Sequence, residues 1–196
     1  MTKFSFSPSR VWGILGALLL AFVLTSPAAA QEIYVHGGAD FPSSSAFNEA
    51  YNTGFNAGLG VGIPLTNRLE AVLMGRYDRF GLDTPSEIDI DGGTFSSLSA
   101  TANLKLNGPV VSSRFMPYGF AGTGLFRTDI SDITEGSLST EGDSEVDLGL
   151  QFGAGLSVRM SPRANLLVEP NYVLVFNEGE NTSFFPVRLG ASFRLR

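Results

Sequence analysis

The chain has 196 residues, a formal charge of −6 and no cysteine. The acidity excludes a basic nucleic-acid-binding surface, and the missing thiols exclude a disulfide framework or a thiolate metal site. With Gly at 23, Phe at 16 and charged residues at only 16%, the composition suits closely packed strands better than a helical enzyme.

The first segment reads as a secretory signal. Lys3 and Arg10 precede an apolar run at 11–24, and Ala28, Ala29 and Ala30 follow it. Cleavage is expected between Ala30 and Gln31, so the chain divides into a signal at 1–30 and one domain at 31–196. The run is short of the roughly 20 residues that a spanning helix needs. No cysteine follows the cut, so no lipid anchor through a thioether is expected.

The rest of the chain alternates with period two, which puts side chains on the two faces of a strand. At 33–41, Ile33, Val35, Ala39 and Phe41 oppose Tyr34, His36 and Asp40. At 54–65, Phe55, Ala57, Leu59, Val61 and Ile63 oppose Asn56 and three glycines. At 69–80, Leu69, Ala71, Leu73 and Tyr77 oppose Glu70, Arg76 and Asp78. At 95–107, Leu98, Ala100, Ala102, Leu104 and Leu106 oppose Ser97, Ser99, Thr101, Asn103, Lys105 and Asn107. The segment 118–128 is less regular; Tyr118, Phe120 and Phe126 are read as its apolar face, against Ala121, Thr123 and Arg127. At 145–160 the alternation has no fault: Val146, Leu148, Leu150, Phe152, Ala154, Leu156, Val158 and Met160 oppose Asp147, Gln151, Ser157, Arg159 and glycines. At 165–176, Leu166, Val168, Tyr172, Leu174 and Phe176 oppose Glu169 and Asn171. At 185–196, Val187, Leu189, Ala191, Phe193 and Leu195 oppose Arg188, Gly190, Ser192 and Arg194.

Eight strands are therefore expected. Their connections alternate between short, turn-rich segments (64–68, 107–116 and 160–165) and mostly longer ones rich in Ser, Gly, Asp and Glu (42–52, 81–94, 131–143 and 177–183). Alternation alone fits either an apolar face turned out to lipid or one turned in to a ligand, as in a secreted soluble barrel. Three features favour lipid outside. The polar face is built of Gly, Ser, Thr and Asn, which suit a crowded interior. Five apolar positions per strand make a belt about 21 Å tall, near the roughly 25 Å of a lipid-facing band. Aromatics gather at the long-loop ends (Phe41, Phe55, Tyr77, Phe80, Phe95, Phe126, Phe176, Phe184 and Phe185), as an interfacial girdle would; Phe115, Tyr118 and Phe193 make a thinner one opposite. The fold class is thus all-β: an eight-stranded antiparallel up-and-down transmembrane β-barrel after a cleaved signal.

Over 31–196 this arrangement resembles the small eight-stranded outer-membrane barrels of the OmpA, OmpX and opacity-protein kind. The likeness lies in architecture and in the final strand. It implies a place in the bacterial outer membrane among lipid and lipopolysaccharide, and insertion by the barrel-assembly machinery. That machinery usually reads a terminal aromatic; here Phe193 is followed by Arg194, Leu195 and Arg196.

The charges on the polar face are the candidate functional residues: Asp40, Glu70, Arg76, Asp78, Lys105, Arg127, Asp147, Arg159, Glu169 and Arg188, joined by Arg194. Near-balanced charges enclosed in a narrow barrel are expected to pair and close it. A narrow porin-like channel is the alternative use of the same residues. A lipid A-modifying barrel enzyme is another, but His36 is the lone histidine and no nucleophile or orienting acid is spaced to serve it. No catalytic, cofactor or metal site is expected. Residues 87–92 fit a calcium loop poorly, since Ile88 and Ile90 separate the acids and Leu98 stands where the twelfth-position Glu belongs. The long connections carry eleven acids and no Lys or Arg: Glu49, Asp83, Glu87, Asp89, Asp91, Asp132, Glu135, Glu141, Asp143, Glu178 and Glu180. They would steer a basic surface ligand. The expected function is a non-enzymatic barrel serving envelope structure or surface contact, with no role for nucleic acid.

Overall fold

The computed structural model describes residues 32–83, 91–112, 114–135, 138–140, 144–177 and 181–195. Eight long strands form the barrel: β1 Glu32–Pro42, β2 Gly54–Pro64, β3 Leu69–Phe80, β4 Phe95–Asn107, β5 Phe115–Ile130, β6 Ser144–Arg159, β7 Ala164–Val175 and β8 Thr182–Arg194. Each pairs antiparallel with its neighbours in sequence, and β1 pairs with β8 to close the barrel. The closing seam runs from Glu32↔Arg194 to Pro42↔Phe184, so no edge is left to meet lipid unpaired.

The faces follow the alternation. Leu59, Leu104, Leu148 and Leu189 on the outside are 54–64% exposed, while Asp40, Asp78 and Ser192 inside are fully buried. Only a lipid solvent makes that inversion favourable. The inward-apolar, soluble alternative is thereby excluded.

Turns at one end are tight because hydroxyls replace the missing ladder bonds. Thr66 Oγ1 accepts from the backbone N–H of Leu69 at 3.0 Å, and Ser161 Oγ accepts from that of Ala164 at 3.1 Å. Both ends of the described barrel lie at this side, which is the periplasmic one in barrels of this design. At the opposite mouth, a three-stranded sheet of Asp91–Gly92, Ile133–Glu135 and Leu138–Thr140 extends the loops.

The structure departs from the sequence reading in three places. First, β5 is turned over. Tyr118 and Phe126 are buried inside at 4% and 0% exposure, so Ala121, Thr123 and Arg127 face out. Glycines across the sheet make room: a Cβ at Gly155 would collide with the Tyr118 ring, and one at Gly149 with the Phe126 ring. Second, Phe80, Phe95, Phe126 and Phe184 are lumen residues rather than girdle. Phe41, Phe55, Tyr77, Phe176 and Phe185 do face outward at that end. Third, the connection after β1 contains a helix, α1 Ser45–Ala50, where a plain loop was expected.

Candidate functional site: a lumen filled in layers

The outermost layer is a phenylalanine cork. α1 dips into the extracellular mouth and buries Phe47 among Phe80, Phe95 and Phe184, at centroid distances of 5.0, 4.8 and 6.4 Å. Phe126, Val173 and Val175 complete the cluster, and Tyr51 packs against it. Edge-on contacts such as Phe47–Phe95, at an interplanar angle of 70°, are the favoured aromatic geometry. The helix is too short to be stable alone. It is tied down by Ser43 N and Ser44 N, which donate to Ser183 O at 3.0 and 3.3 Å, and by Asp83 N, which donates to Ala50 O at 2.9 Å.

Beneath the cork lies a charged layer. Arg76 pairs with Asp78 at 2.7 Å and donates through Nη1 to Gln151 Oε1 at 3.2 Å. Gln151 Nε2 in turn donates to Asn103 Oδ1 at 2.6 Å. Asp40 accepts from Asn56 Nδ2 at 2.7 Å and has no salt bridge among the described residues. Arg188, 1% exposed, forms an ion pair with Glu169. With the Asn171 amide oxygen turned toward it, that oxygen accepts from Arg188 Nε at 2.9 Å and Nη2 at 2.7 Å. The lone histidine, His36, contacts Met74 Sδ through Nε2 at 3.1 Å.

A third layer is built on Lys105. Its ammonium sits 4.8 Å from the Tyr34 ring centroid and 4.6 Å from that of Tyr118. Lys105 Nζ donates to Tyr34 Oη at 2.8 Å, which donates to Glu70 Oε1 at 2.8 Å. Tyr118 Oη donates to Glu169 Oε2 at 2.9 Å, linking this layer to Arg188. Two aromatic faces and a carboxylate supply the partners that a buried ammonium requires.

Of the charges expected in the lumen, Asp40, Glu70, Arg76, Asp78, Lys105, Glu169 and Arg188 are brought together inside. Asp147 stands at the extracellular rim, where Asn177 Nδ2 donates to its Oδ2 at 2.8 Å. Arg159 is exposed and lines a cup at the periplasmic mouth. Arg127 is misplaced by the sequence reading: it lies on the outer face of β5, 38% exposed, paired with Asp129 at 3.0 Å. Residues missed in the sequence are Tyr34 and Tyr118, the phenylalanines of the cork, and Glu32, which accepts hydrogen bonds from Ser192 and Asn165. The poor calcium-loop match at 87–92 falls largely outside the described residues. Two voids in the middle of the lumen measure about 20 and 10 Å³. Each has room for about one water at most.

The family model for the outer membrane protein beta-barrel domain matches residues 15–194. The chain belongs to that family. It is an integral outer-membrane barrel, and its belt is set in the lipid and lipopolysaccharide of that membrane. Among solved structures, Neisserial surface protein A is similar at 19% identity and a TM-score of 0.62, over 83% of this chain and 96% of that one. Ail, the attachment invasion locus protein of Yersinia pestis, is similar at 20% and 0.54, over 85% and 99%. A major outer membrane protein from Thermus thermophilus is similar at 12% and 0.60, over 85% and 100%. At these identities the likeness is one of fold. No curated protein matches the chain.

Proposed function

We propose that this chain is a non-conducting, non-enzymatic barrel that presents acidic extracellular loops to cationic partners. The carrying observation is the filled lumen: cork, charged layer and Lys105 layer lie in series, with voids of only about 20 and 10 Å³ between their side chains. A pore would need a continuous water column, and an eight-stranded wall leaves little space beyond its own side chains. Against enzymatic use stands His36, whose ring is held inside the lumen against Met74. Export through a signal at 1–30, and insertion by the barrel-assembly machinery reading the last strand at Phe193, complete the reading.

With the lumen closed, contact falls to the loops. Their eleven acids and lack of Lys or Arg set up a negative surface that steers basic ligands. Ail has been crystallised with the heparin analogue sucrose octasulfate. A polyanion of that kind is a poor partner for the loops of this chain. The test is binding of polylysine and of heparin to the barrel in zwitterionic nanodiscs. Polylysine is expected to bind, weaken with salt, and lose most affinity when Asp83, Asp132 and Glu49 are changed to Asn, Asn and Gln. Preferential heparin binding contradicts the proposal.

A further inference from the structure

The periplasmic mouth holds a feature that the closed lumen leaves unused. Below the Lys105 layer opens a cup of about 230 Å³. That is many times the roughly 10–15 Å³ that one water needs. Its lining includes four cations, Lys105, Arg159, Arg163 and Arg194, against two carboxylates, Glu32 and Glu70.

Both carboxylates are already engaged. Glu70 accepts from Tyr34 and pairs with Lys105 at 3.4 Å. Glu32 takes Ser192 and Asn165, with Arg194 at 3.9 Å. Among the described residues Arg159 and Arg163 have no ion pair, so the cup keeps two uncompensated guanidinium groups. Their backbones are fixed. Arg159 N donates to Arg114 O at 2.8 Å, and Arg163 O accepts from Arg194 N at 2.8 Å. Arg163 N also donates to Ser161 Oγ at 3.3 Å.

We propose that this cup binds a phosphate ester. Two guanidiniums suit phosphate oxygens, which they can grip in fork geometry. A simple carboxylate fills the role less well, because it offers only two oxygens and a single charge to two forks. The same chemistry occurs free, as a glycerol phosphate, and in the inner-leaflet headgroup of a phosphatidylglycerol.

The test uses the refolded protein in neutral maltoside micelles, followed through the arginine Nε–Hε NMR signals. Folding of each variant is checked by its gel shift on boiling. One arm titrates glycerol 3-phosphate, a second dopes the micelles with phosphatidylglycerol, and a third titrates acetate. The Arg159 and Arg163 signals are expected to move with a phosphate probe and weakly with acetate. Affinity should fall about tenfold or more in Arg159→Gln/Arg163→Gln, the loss expected for two charge-assisted contacts. The same pair of changes at Arg68 and Arg114, outside the cup, should leave affinity unaltered. Response to glycerol phosphate supports a soluble ligand, and response to the doped lipid alone supports the headgroup. The proposal is overturned if neither phosphate probe moves the signals, if acetate binds as tightly, or if the Arg68/Arg114 variant weakens binding as much as the cup variant.

Discussion

The two halves of the lumen are closed by opposite chemistry. Toward the loops, Phe47, Phe80, Phe95, Phe126 and Phe184 exclude water by filling space. Toward the periplasm, Arg76, Arg188 and Lys105 are held by Asp78, Glu169 and Glu70 in a fixed pattern of partners. An apolar cork responds to lost volume in proportion, since burial and packing add up over atoms. A charged layer responds to a lost partner out of proportion, because the abandoned charge has no water to turn to.

Arg188→Ala should give the largest effect. It strands Glu169 and Asn171 and is expected to destabilise the barrel by about 3–5 kcal/mol in urea titrations from lipid vesicles. Arg188→Met combined with Glu169→Leu should recover most of that loss, because removing both charges leaves neither unpaired. A double variant no more stable than the single one would show that Arg188 acts through packing alone.

Phe126→Ala follows, at about 3 kcal/mol, with the loss reduced where α1 settles into the cavity. Phe47→Ala should free α1, measured as faster amide exchange at Tyr51 and Asp83, yet leave the lumen closed by the layers below. If Phe47→Ala alone conducts ions, the charged layers are not a seal.

Two neighbouring acids sharpen the comparison. Asp78→Asn weakens the anchor of Arg76 and is expected to cost about 2 kcal/mol in the same titrations. Asp40→Asn should cost no stability in those titrations, because it removes a buried carboxylate that meets Asn56 and no cation at salt-bridge distance. Arg127→Gln should likewise cost little, under about 1 kcal/mol, since its pair with Asp129 is exposed.

The strands were legible because lipid on one side and a crowded lumen on the other impose strict alternation, as Leu148, Leu150 and Phe152 against Gly149, Gln151 and Gly153 display. The paired charges were legible for the same reason: Glu70, Arg76 and Asp78 fall on the polar parity of β3. On β5 hydrophobicity marks the lumen face instead of the lipid face. Its inward positions hold Tyr118, Phe120 and Phe126, more apolar than the Ala121 and Thr123 that face out. The signal that resolves it lies on β6. Gly153 and Gly155 have clear inward parity and stand opposite Phe120 and Tyr118, and the space over Gly155 is filled by the inward Tyr118 ring. The cork was beyond reach of periodicity, since Phe47 comes from a loop and its partners from β3, β4 and β8. Of the basic side chains at the periplasmic mouth, Lys105, Arg159 and Arg194 fall on the polar parity of their strands. Which of them stay without an acid depends on where Glu32 and Glu70 are spent.

Single-channel recording of the refolded wild-type barrel in planar bilayers tests the closed lumen most directly. The two stacked seals predict a flat current trace at moderate voltage, for the wild type and for Phe47→Ala alike. Discrete, ohmic openings of the wild-type protein would contradict the account.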